Sequence, residues 1–125
     1  NDNYFITMKT GVLWDERMPN EFPDISYIHV DSAVPGFAVY VESTTYGPLD
    51  LTIISPNGTT VYDFYSMYYG HHNLGKIIDV GKYGAGKYTV KVFQAHTANI
   101  GYTITIKGPR EIGIDECAPG CKVPY

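Results

Sequence analysis

Histidines stand side by side at His71 and His72, within the stretch YYGHHNLGKI from Tyr68 to Ile77. Imidazole is a common ligand for zinc, copper and nickel. Adjacent residues of an extended chain point to opposite faces, so the pair could share one ion only from an irregular loop, with His29, His96 or a carboxylate completing the sphere. The same stretch spells G-x-x-x-x-G-K at Gly70, Gly75 and Lys76. A phosphate loop also needs Ser or Thr after the lysine to hold magnesium, and a helix N-terminus aimed at the phosphate. Here Ile77 follows Lys76 and β-prone residues follow it, so the spacing reads as a coincidence.

Other groups could do different chemistry. Asp15, Glu16, Glu21 and Asp24, joined by Asp115 and Glu116, supply the hard oxygen ligands that calcium takes, although no D-x-D-x-D-G spacing accompanies them. A structural calcium site and a solvated acidic loop are the two readings. Cys117 and Cys121 flank Ala-Pro-Gly, a tripeptide that turns the chain back on itself, and a local disulfide is expected. A zinc site would need two more ligands nearby. There is no G-x-S-x-G, and no Ser or Cys stands in a recognised nucleophile turn. The chain therefore reads as non-enzymatic, with no cofactor beyond structural calcium. Tyr62, Tyr65, Tyr68 and Tyr69 lie within eight residues of one another, and tyrosine offers both a stacking ring and a hydroxyl. With His71 and His72 they form the candidate binding surface, although alternate tyrosines could equally cover a core edge. Asn57-Gly58-Thr59 is an N-glycosylation sequon.

The elements that must position these residues are strands. At 125 residues the chain has the size of one domain, residues 1–125. It carries 12 Tyr, 13 Gly and 8 Pro with only 18% charged residues, and much of the rest is Val, Ile and Thr. Branched and aromatic side chains suit a pleated sheet, and Gly and Pro punctuate its turns. Weak alternation suggests a strand in NYFITMK, after which GVLWDERMPNEFPD reads as a long loop anchored by Trp14. Further strands are expected over Ile25 to Val30, Phe37 to Ser43, Leu51 to Ile54, Thr59 to Phe64, Lys76 to Val80, Lys87 to Gln94 and Gly101 to Gly108. Pro56-Asn57-Gly58 marks a hairpin, because Asn and Gly tolerate positive φ. Tyr68 to Gly75 is then an aromatic loop between strands. Seven to nine short strands with regular turns imply an all-β, antiparallel sandwich.

In their order, DISYIHV, FAVYVES, DLTIISPNGTTV, GKYTVKVFQ and GYTITI resemble the bacterial and archaeal pre-peptidase C-terminal domain family. The matching features are Asp24 opening a strand, the D-L-x-L-x-x-P-x-G hairpin at Asp50 to Gly58, the G-x-Y-x-[IV]-x-V of Gly86 to Val92 and the Y-x-[LI]-x-[VI] of Tyr102 to Ile106. They cover about residues 24 to 107, leaving 1–23 as an N-terminal strand and loop and 108–125 as a tail. The resemblance implies a jelly-roll-like sandwich and an extracellular setting.

Charge and hydropathy narrow the partners. Nine Lys plus Arg against thirteen Asp plus Glu give a formal charge of −4, with no basic run to meet nucleic acid. No apolar run reaches the roughly 18 residues of a spanning helix, and a chain beginning at Asn1 suggests processing and secretion. The leading expectation is a secreted module that binds protein or polysaccharide at the cell surface or in a matrix. One alternative is a self-assembling subunit of an extracellular filament or surface layer, joined by N- or C-terminal strand exchange. The other is an accessory domain of a secreted peptidase.

Overall fold

The computed structural model describes residues 4–13, 24–65, 70–93 and 99–116. They form β1 (Phe5–Leu13), β2 (Asp24–Val30), β3 (Gly36–Ser43), β4 (Asp50–Ile54), β5 (Thr60–Phe64), β6 (Asn73–Asp79), the one-turn helix α1 (Val80–Tyr83), β7 (Gly86–Phe93), β8 (Ile100–Gly108) and β9 (Gly113–Glu116). All pairings between these strands are antiparallel. The order is β1-β8-β3-β6 in a four-stranded sheet and β5-β4-β7-β2-β9 in a five-stranded one.

The pairs β1·β8, β2·β7, β3·β6 and β4·β5 nest inside one another, as in a single long hairpin. Folding that hairpin over on itself, with β3 beside β8 and β4 beside β7, gives a jelly roll. Strand β9 is an addition outside this scheme and extends the five-stranded sheet along β2.

Period-two alternation fixes which side chains meet between the sheets. Phe37, Val39 and Val41 of β3 and Tyr102, Ile104 and Ile106 of β8 are buried on one side. Leu51, Ile53, Tyr88, Val90 and Val92 face them from the other sheet. The Tyr88 ring meets Phe37 edge-on, with centroids 5.2 Å apart, and its hydroxyl donates to the Gly84 carbonyl at 2.6 Å. Strand β1 supplies only Leu13 to this core.

Three local expectations need correction. Gly11, Val12 and Leu13 belong to β1 rather than to the loop after it, because each pairs with β8. The aromatic loop ends before Asn73, since Asn73 to Gly75 already pair with β3. Val80 opens α1 instead of closing a strand, and Asp79 caps that turn by accepting the Gly81 N–H at 2.9 Å. Strand β9 lies within the C-terminal tail, beyond the strands expected from the sequence. At the Asn57-Gly58 turn only Gly58 has positive φ (90°), and a register shift between Ile53 and Ile54 accommodates the hairpin.

Candidate functional site

The candidate aromatic surface divides into two environments. Tyr62 lies on the inner face of β5, half-buried against the core, whereas Tyr65 just beyond the strand is 69% exposed. His71 is exposed and meets the exposed Tyr46 ring edge-on, with centroids 5.5 Å apart. His72 turns instead toward Phe64, at 6.0 Å between ring centroids. Its N–H donates to Ser43 Oγ at 2.7 Å and its carbonyl accepts the Ser43 N–H at 2.8 Å. The two imidazoles thus have different neighbours, as adjacent positions in extended chain require. Gly47 and Gly70 form a two-way backbone bridge beside them. Lys76 sits within β6, so strand and not helix follows Gly75 directly. Tyr68 and Tyr69 lie outside the described residues.

Among the described residues no three His, Cys, Asp or Glu side chains come together as a metal site. Of the four carboxylates proposed for calcium, Asp15, Glu16 and Glu21 lie outside the described residues. Asp24 opens β2 and accepts a hydrogen bond from the Tyr102 hydroxyl at 2.6 Å. Burial raises its pKa, while the Tyr102 hydroxyl and the Lys9 ammonium oppose the shift. Lys9 in turn reaches Glu116 Oε1 at 3.1 Å. This cluster, Lys9 on β1, Tyr102 on β8, Asp24 on β2 and Glu116 on β9, joins the two sheets along one flank. Trp14, His96, Cys117 and Cys121 are also outside the described residues.

Asn57 is exposed at a hairpin tip, and its Oδ1 accepts from the Thr59 N–H at 3.1 Å and from the Ser55 hydroxyl. The sequon therefore sits on an accessible turn.

An apolar surface outside the candidate site residues lies on the outer face of the four-stranded sheet. Residues of β1 alternate so that Ile6, Met8, Thr10 and Val12 share the outer face of the four-stranded sheet, with Tyr4 just before the strand on the same side. Ile6 pairs across to Lys107, which neighbours Ala38 and then Ile77. Met8 leads in the same way to Thr105, Tyr40 and Gly75. Ile77 is 78% exposed and Met8 62% exposed, which places large apolar groups in water. Tyr40 lies across Gly75, 2.8 Å from where a Cβ would stand, and the Lys107 ammonium is 5.6 Å from its ring centroid. A depression of about 380 Å³ borders this ridge, lined in part by Tyr4, Ala38, Ile77 and Pro109.

The outer face of the five-stranded sheet differs in character. There His29 Nε2 meets Asp115 at 2.7 Å, Lys87 stacks on Tyr27 at 4.3 Å and Thr52 donates to Asp63 at 3.0 Å. Its polar groups satisfy one another, whereas the opposite face presents unpaired apolar area. The signal was present in the sequence as Tyr4-x-Ile6-x-Met8-x-Thr10-x-Val12. Phe5 on the alternate set obscured which face is buried.

No helix among the described residues is long and apolar enough to cross a membrane. Comparison with models of known protein families and with characterised proteins finds no match.

Proposed function

We propose that this chain is an extracellular, non-enzymatic β-sandwich subunit that associates with copies of itself, as in a filament or surface layer. The outer face of the four-stranded sheet carries the reading. Tyr4, Ile6, Met8, Val12 and Ile77 are large, exposed and on one side of the molecule, next to a nine-residue edge strand. Exposed edges in monomeric sheets are usually short, charged or interrupted by proline. Strand β9 fits that pattern with four residues ending in Asp115 and Glu116, and β5 is five residues long and carries Asp63. Strand β1 has no proline, and its one charge, Lys9, is turned to the inner side toward Glu116. The extracellular setting draws on the sequon at an exposed turn and on the family resemblance.

Concentration-dependent mass by light scattering, with electron microscopy of the concentrated protein, tests this reading. The native chain should form assemblies, and Ile6→Lys with Met8→Lys should leave folded monomers. A native chain that stays monomeric at millimolar concentration sinks the idea.

A second reading draws on the end of the sandwich where Tyr46, Tyr65 and His71 are exposed. Aromatic rings beside polar groups favour stacking on a sugar or protein surface. Under this reading the chain is a secreted binding module. Glycan and matrix-protein screens with Tyr46→Ala and Tyr65→Ala test it, and binding that neither change weakens counts against this end as the contact.

A further inference from the structure

We infer that β1 is an exchangeable strand, leaving β8 of its own sandwich to pair with β8 of a second copy. The inference rests on the self-association proposed above and specifies how copies would join.

Three features make β1 separable. It belongs to the outermost pair of the nested hairpin, so its departure leaves the pairs β2·β7, β3·β6 and β4·β5 intact. Its grip on the fold is mostly backbone, because Leu13 is its only side chain in the buried core. Residues 14–23 separate it from β2, and ten residues of extended chain span at most about 36 Å, the scale of a small domain.

Three further features make a second β1 the fitting occupant of the vacated edge. Gly11 lies opposite Tyr102, and a Cβ at position 11 would collide with the Tyr102 ring. FITMKTGVL contains one glycine, so a strand shifted by two residues would drive Lys9 or Leu13 into that ring. Lys9 provides a second register mark through Glu116, and the Thr7 hydroxyl provides a third by donating to the Ile112 carbonyl at 2.9 Å. A β1 arriving from another copy remakes every one of these contacts.

Simple edge-to-edge pairing of two β1 strands fits less well. Edge pairing would need a new ladder for which Thr7, Lys9 and Gly11, whose contacts lie on the inner face of β1, set no register. Exchange needs no new ladder. Because the exchanged and unexchanged contacts are identical, concentration and the apolar outer faces brought together between copies set the balance.

Cross-linking between variants that each carry one added cysteine, with Cys117 and Cys121 replaced by serine, tests the proposal. Met8 lies directly opposite Thr105 on the outer face. Chains carrying Met8→Cys are co-refolded with chains carrying Thr105→Cys, concentrated, and joined by oxidation or a short bismaleimide. Exchange yields a covalent dimer holding one copy of each variant, lost when Thr60→Cys on β5 replaces Thr105→Cys. A single chain carrying both changes serves as the folding control, since it closes internally when dilute. If native chains assemble but no mixed dimer forms while the control closes, exchange is overturned and self-association stands. If native chains remain monomeric at all concentrations, both fall.

Discussion

The Tyr102 hydroxyl donates to Asp24 Oδ2 at 2.6 Å, tying β8 of one sheet to β2 of the other beneath the edge strand β1. A half-buried carboxylate with one such donor is still short of what water offered it, so desolvation dominates and its pKa rises above the ordinary 3.8.

The folded chain therefore holds the Asp24 proton more tightly than the unfolded chain. This contribution to stability is full below 3.8 and is lost as pH rises through the raised folded value. Asp24→Asn keeps an acceptor for Tyr102 but removes the titration. Urea unfolding between pH 3 and 7 should show native stability falling relative to Asp24→Asn as pH rises. A difference of the opposite slope refutes the assignment.

Gly11 is required by the Tyr102 ring. Gly11→Ala should cost about 1–3 kcal/mol as an overpacking change. In a Tyr102→Ala background the same substitution should cost much less, because the colliding ring is gone. Equal costs in the two backgrounds would show that backbone conformation, not the ring, demands glycine.

Ser26 presents the reverse case. Its hydroxyl is buried and has no hydrogen-bond partner among the described residues. Ser26→Ala should be neutral or stabilise by about 1 kcal/mol, measured by denaturant midpoint at constant m. A clear loss would place a partner for the hydroxyl in a segment outside the described residues.

At the β4–β5 turn, Gly58 has φ of 90° with nothing near its missing side chain. Gly58→Ala should cost about 1–2 kcal/mol from backbone conformation alone. Asn57→Ala removes one of the two side-chain acceptors of the Thr59 N–H, leaving Ser55 Oγ, and should cost about 1 kcal/mol. Thermal unfolding of both variants checks these values.

Much of the fold was legible because strict alternation leaves one consistent choice of face. Phe37, Val39 and Val41, or Tyr102, Ile104 and Ile106, can be buried together only in a strand. The candidate surface was harder to read. In β1 both alternating sets contain large apolar residues, and Phe5 remains 48% exposed although it lies on the inward set. The pairing partner decides the face there, and it lies nearly the whole chain away, with Phe5 opposite Gly108. Gly113–Glu116 was equally obscure, since GIDE carries little β signal and pairs because β2 has an open edge. Tyr62 and Tyr65 looked equivalent in sequence, but strand pairing put Tyr62 opposite Ile53 and left Tyr65 outside.

The nested pairing also sets an order in time. Loop-closure entropy makes the short β4–β5 turn the cheapest contact to form and the meeting of Phe5 with Gly108 the most expensive. Strand β1 is synthesised before the other strands of the sandwich yet is the last to find its partner. Throughout that interval β8 offers an open ladder, which under the proposed exchange a β1 from a neighbouring chain would fill.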